Sequence, residues 1–189
     1  MAGAHTFNET ERQVSTLLRG MKIDFKAMAV VSNLFRASSA VRKHLEREVL
    51  SKHSLSWTGF VVLWVVWVWV EIETREIAEE VGTSKATLTG VLKTLERDKL
   101  ITKRQSKSDR RLVLVTLTAQ GKKLMERIFP EFNNEEVYLA SSLRSGDRKV
   151  TADGLRTLTI HAESGPKSFQ KGQKGQRLSA KKSKETKKS

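Results

Sequence analysis

The chain of 189 residues has no cysteine. Disulfides, zinc ribbons and redox sensing through a thiol are thereby excluded. Its histidines, His5, His44, His53 and His161, show no i, i+4 or other ligand spacing, so the sequence offers no metal site and calls for no cofactor. There is no glycine-rich phosphate loop and no nucleophile–base pair, so an enzyme would have no catalytic constellation behind it. The first ten residues lack the apolar segment, preceded by basic residues, that marks a secretory signal. The apolar run 55–70 falls short of the roughly 20 residues a membrane-spanning helix needs. These absences predict a cytoplasmic protein, at the nucleoid, with no membrane partner. Acidic residues are also few: 21 Asp and Glu face 35 Lys and Arg, for a net charge of +14. That imbalance points to a polyanionic partner, nucleic acid above all.

Hydrophobic residues make up 38%, low for a fully packed globule, and the deficit lies at the two ends. Residues 1–22 are polar with weak periodicity, read as a flexible arm with at most a short helix at 11–18. Asp24 can cap a following helix over 24–50, where Met28, Val31, Phe35, Val41, Leu45 and Val49 form one apolar stripe. Such a helix needs a partner. The run 55–70 holds Trp57, Phe60, Trp64, Trp67 and Trp69 among valines. Its β-branched content suits strands, while its length and lack of alternation suit a buried helix. The flanking elements favour the helix, over 57–68, followed by a short extended link at 71–73. Beyond 163 the composition shifts to Gly, Ser, Gln and Lys, which predicts a disordered tail over 163–189.

The stretch 74–117 carries the function. Thr74 is expected to cap a helix over 75–81, with Gly82 making the tight turn that follows. Ser84 caps a second helix, in which Leu88, Val91, Leu92 and Leu95 sit at i, i+3, i+4 and i+7 as a core face. Opposite them lie Ala86, Thr89, Gly90, Lys93 and, at the far end of the helix, Arg97, flanked at the N-terminal end by Lys85 and Thr87. With Ser84 at the start, the candidate DNA contacts are Ser84, Lys85, Ala86, Thr87, Thr89, Gly90 and Lys93, small, hydroxylated and basic. A core helix has no need of such a face. A helix entering the major groove does, because small residues allow close approach and Thr and Lys reach bases and phosphates; the alternative is an ordinary solvated face. Two short strands, 100–102 and 112–117, then flank a basic loop. Lys103, Lys107, Arg110 and Arg111 suit phosphate and the narrow minor groove. Asp109 either braces an arginine through a charge-assisted bond or simply forms the turn. Helix, turn, helix and basic-tipped hairpin make a winged helix-turn-helix. The predicted class is mainly α with a small β-hairpin wing (α+β), joined to a helical dimerisation domain.

Thr118 is expected to cap a helix over 119–128 that Pro130 interrupts or kinks. The apolar pattern resumes at Phe132, and Ser145 is expected to cap a last helix running to Ile160. The predicted organisation is an arm at 1–22, a dimerisation region at 23–53 and 132–162, a DNA-binding domain at 54–131, and the tail.

The run Asp109-Arg110-Arg111, a strand, then Leu117-Thr118-Ala119-Gln120-Gly121 resembles the wing signature of the MarR family of regulators. The segment from Thr74 to Ser84 resembles that family's helix-turn-helix. Lys99 departs from the pattern, which has glycine between recognition helix and wing. The resemblance implies a homodimer built from the first and last helices, which supplies the missing partner of 24–50. It further implies a transcriptional repressor on a palindromic operator of double-stranded DNA. Arg111 would enter the minor groove with Asp109 orienting it. A small aromatic anion would release the DNA, with Trp57, Phe60 and Trp64 as an aromatic wall for its pocket. The alternative from another class is an architectural DNA-coating protein with little sequence preference.

Overall fold

A computed structural model describes residues 6–165. Residues 1–5, with His5, and the tail beyond 165 lie outside that range. Helices α1 (Phe7–Leu17), α2 (Phe25–Glu48), α3 (Trp57–Trp69), α4 (Thr74–Val81), α5 (Lys85–Arg97), α6 (Ala119–Ser141) and α7 (Ser145–Glu163) alternate with strands β1 (Glu71–Glu73), β2 (Ile101–Gln105) and β3 (Val113–Leu117). The chain divides into two compact units, Met1–Glu135 and Glu136–Ser189. No described helix is long and apolar enough to cross a membrane.

In the first unit, the arm contains a helix where flexible chain was expected over most of its length. Thr6 accepts a hydrogen bond from the Glu9 amide, and the Glu9 carboxylate accepts one from the Thr6 amide at 2.7 Å. That reciprocal pair satisfies two amides a first turn leaves free, so α1 starts earlier than its weak periodicity indicates. Helix α2 is capped as expected, the Asp24 carboxylate accepting from the Ala27 amide. A 3₁₀ turn, Leu50–His53, ends it, closed by Ser54 in the left-handed region.

Helix α3 is buried on most of its circumference through Phe60, Val62, Leu63, Val65 and Val66. A helix packed on all sides has no polar stripe to reveal a period, which is why its sequence reads equally as strand. Around it gather Ile72, Ile77, Leu88, Leu92, Leu95, Ile101 and Val115, with Met125, Ile128 and Phe132 from α6 and Leu45, Val49 and Leu50 behind. Each large side chain so buried contributes about 1.5–3 kcal/mol relative to exposure.

Three further expectations are corrected in this unit. The segment 71–73 is not a free link: β1 pairs antiparallel with β3, Ile72 opposite Val115, giving a three-stranded sheet in the order β1-β3-β2. Thr74 is not the cap of α4. It is the first helical residue, Glu73 is the N-cap, and the Glu76 carboxylate accepts from the Glu73 amide. Pro130 does not break α6, which runs through it for 23 residues. A proline removes one amide, and burial of Met125, Ile128 and Phe132 on both sides outweighs that loss.

In the second unit, Arg144 and not Ser145 is the N-cap of α7, and no side chain closes that end. The Arg144 guanidinium instead meets Asp147 of the first turn at 2.6 Å. None of the described residues of α7 is buried, although Val150, Leu155, Leu158 and Ile160 are large and apolar.

Candidate nucleic-acid interface

The local sequence positions α5 firmly. Gly82 takes φ 64° at the end of α4, the Ser84 hydroxyl accepts from the Thr87 amide at 3.1 Å, and Leu88, Leu92 and Leu95 anchor the inner face. Val91 is half-buried. The seven residues at this helix expected to meet DNA, Ser84, Lys85, Ala86, Thr87, Thr89, Gly90 and Lys93, are all exposed. Nothing lies within 4 Å of where a Gly90 side chain would begin, so that face is open to a bulky partner. The Thr89 hydroxyl donates to the Lys85 carbonyl at 2.7 Å. Its proton is committed to the helix, leaving an acceptor oxygen and a methyl for base edges.

Strands β2 and β3 pair from Ile101 opposite Leu117 to Gln105 opposite Val113, so the wing loop is 106–112. Asp109 organises its tip. Its carboxylate accepts from the Arg111 amide at 2.9 Å and from the Arg111 guanidinium at 2.9 and 3.1 Å. The guanidinium and then the amide hold the Asp109 carboxyl below the ordinary carboxylate range. Arg111 remains 90% exposed, a pre-oriented cation projecting from the wing. Asp109 therefore both braces an arginine and shapes the turn. Lys107 and Arg110 are exposed beside it. Lys103 is placed differently. Its ammonium meets Glu96 of α5 at 2.7 Å, tying the wing to the helix. Arg104 makes a comparable tie to Glu71 of β1 at 2.6 Å.

Between α5, the start of α4 and the wing lies a groove of about 430 Å³. Lys85, Thr89, Lys103 and Arg111 line it, and so do Thr74 and Arg75. The sequence reading missed these last two. A signal was available: a cation in a first turn opposes the helix dipole, so Arg75 stands where local electrostatics alone would not put it. Four cations, Arg75, Lys85, Lys103 and Arg111, thus border one groove between a helix and a hairpin, three of them oriented by carboxylates.

Trp57, Phe60 and Trp64 line up along α3 and stack on α6. Phe60 lies 4.4 Å from Phe132 and Trp64 lies 4.8 Å from Phe129, ring centre to ring centre. Arg42 of α2 caps this layer over the Trp57 ring.

Residues 55–113 match the MarR family model. Over 134 residues the chain is 40% identical to the uncharacterized HTH-type transcriptional regulator YwaE of Bacillus subtilis (strain 168), covering 71% of this chain and 78% of that protein. Among solved structures, AbsC, a MarR family transcriptional regulator from Streptomyces coelicolor, superposes with a TM-score of 0.68 at 16% identity, covering 76% of this chain and 98% of AbsC. BpsR of Bordetella bronchiseptica, whose DNA binding is regulated by 6-hydroxynicotinic acid, gives a TM-score of 0.63 at 26% identity, covering 69% and 92%. With the wing arginine, the exposed recognition face and this similarity together, the chain belongs to the MarR family and is a transcriptional regulator, not an enzyme.

Proposed function

We propose that the protein is a homodimeric repressor that binds a palindromic operator in double-stranded DNA and is released by a small aromatic anion. The observation that carries the DNA reading is the Asp109–Arg111 clamp beside an outward face of Lys85, Thr89, Gly90 and Lys93. The face of α5 is suited to base edges in the major groove, and the braced arginine to the minor groove.

The dimer reading is supported in each unit separately. In α2, Val30, Val31, Phe35 and Val41 are exposed, and so are Val150, Leu155, Leu158 and Ile160 in α7. Apolar surface at this density marks an interface. The ligand reading is supported by the regulation of BpsR through an aromatic acid; Phe60 and Trp64 are themselves packed on Phe132 and Phe129 of α6.

The net charge of +14 favours a second reading, sequence-indifferent coating of DNA. Competition binding separates the two. A repressor prefers its operator over random DNA by at least roughly 10³-fold, whereas a coating protein shows near parity. For the ligand, titration with salicylate and related aromatic carboxylates should quench or shift tryptophan fluorescence and weaken operator binding. A broad panel that changes neither would mark a constitutive binder.

A further inference from the structure

The outer surface of α5 is a crest between two grooves. The groove toward the wing takes Lys85, Leu88, Thr89 and Leu92 of this helix, and a groove of about 370 Å³ on the opposite flank takes Thr87, Gly90, Val91 and Thr94. Ala86, Thr89, Gly90 and Lys93, at i, i+3, i+4 and i+7, run along the crest itself, opposite the buried Leu88, Leu92 and Leu95. From Lys85 to Lys93 there is no Arg, Asn or Gln. The guanidinium fork that selects guanine and the side-chain amide that selects adenine are therefore both missing from this stretch. The hydroxyls around the crest are engaged within the helix. Thr89 donates to the Lys85 carbonyl at 2.7 Å and Thr94 to the Gly90 carbonyl at 3.2 Å, while Ser84 and Thr87 pair with each other at 2.9 Å. What the middle of the crest offers to a base edge is two methyl groups, those of Ala86 and Thr89, beside a glycine with open space around it.

We infer that Ala86 and Thr89 are specificity-determining residues that select thymine, each packing its methyl against a thymine C5 methyl in the major groove. This rests on the reading of α5 as the helix that meets base edges, and adds which base it selects and through which atoms. Thymine is the one base that carries a methyl on its major-groove edge. With its proton committed to Lys85, the Thr89 hydroxyl has none to give to the guanine acceptors N7 and O6 or to thymine O4. The same bond holds the side chain in one rotamer, so its methyl is presented in a fixed direction. The bare Gly90 beside it allows the helix to come close enough for methyl to meet methyl.

The test is a deoxyuridine scan. Full-length protein selects its best site from random duplex DNA, and each thymine of that site is replaced in turn by deoxyuridine, which removes the C5 methyl alone. The expected result is one or two positions in each half-site at which replacement weakens binding roughly three- to fivefold, the worth of one buried methyl. Thr89→Ser keeps the hydroxyl that bonds Lys85 and lacks the methyl. It should bind the thymine duplex more weakly by a similar factor and lose the sensitivity at one of those positions, and Ala86→Gly should lose it at another. Each comparison sets two duplexes against one protein, so any loss of folded protein cancels. A flat scan of an enriched site, or sensitive positions that stay equally sensitive in both variants, would overturn the inference and leave sequence-specific binding intact. Enrichment of no sequence would overturn the operator reading itself, and this inference with it.

Discussion

Lys99 takes φ 57° at the joint between the recognition helix and the wing, a conformation that favours glycine. A Cβ there costs roughly 1–2 kcal/mol. Part of that cost is offset locally, because the Lys99 carbonyl accepts from the Thr118 hydroxyl at 2.6 Å. Lys99→Gly should therefore raise unfolding stability by about 1 kcal/mol, read as a higher denaturant midpoint with an unchanged slope. The opposite holds at Gly121. A Cβ there would meet the Leu100 carbonyl oxygen at 2.0 Å, backbone that cannot swing aside. Gly121→Ala should cost about 1–3 kcal/mol in the same experiment. Both residues stood out in the sequence, Lys99 as a departure and Gly121 as part of the wing signature. The packing of Gly121 against Leu100 was not legible, because it joins positions far apart in the chain.

The proposed DNA contact of the wing is tested at the level of the element. Arg111→Ala should weaken operator binding by roughly 10- to 100-fold in gel-shift or anisotropy titrations. Asp109→Asn should weaken it less, because the turn can persist while the charge-assisted clamp is lost. The pH dependence has a definite sign. A carboxyl whose folded pKa is lowered contributes above its unfolded value, and its contribution is lost only as pH falls through the lowered value. With the Asp109 carboxyl held down by the Arg111 guanidinium and amide, the clamp is intact throughout pH 6–8, and operator affinity should show no titration from this group there. The recognition helix was legible almost to the residue, since Ser84, the i, i+3, i+4, i+7 leucine face and Arg97 mark its ends and inner side. Element α3 was legible as a helix only through its neighbours. Strand β1 was missed because a three-residue edge strand has no period to show, and its pairing partner β3 lies 41 to 45 residues further along the chain. Groove residue Arg75 was missed because helix-turn-helix reasoning looks to the second helix for contacts.

At the scale of the whole molecule, the exposed apolar faces of α2 and α7 and the basic balance make separate demands. The first predicts a dimer mass in light scattering at micromolar concentration. The second concerns the tail, where Lys167, Lys171, Lys174, Arg177, Lys181, Lys182, Lys184, Lys187 and Lys188 face one carboxylate side chain, Glu185, beyond residue 165. Spaced cations with few aromatics neutralise phosphates without reading bases. Truncation after Ser164 should weaken specific and non-specific binding together, flatten the salt dependence and leave operator preference in place. An unchanged salt slope would show that the tail only aids solubility. A dimer reading a two-fold site through α5 and the wing is best checked by selecting bound sequences from random duplex DNA. The selected sites should form an inverted repeat whose half-sites lie about 10 bp apart, one helical turn. Recovery of an asymmetric single half-site, or of no enriched sequence at all, would contradict it.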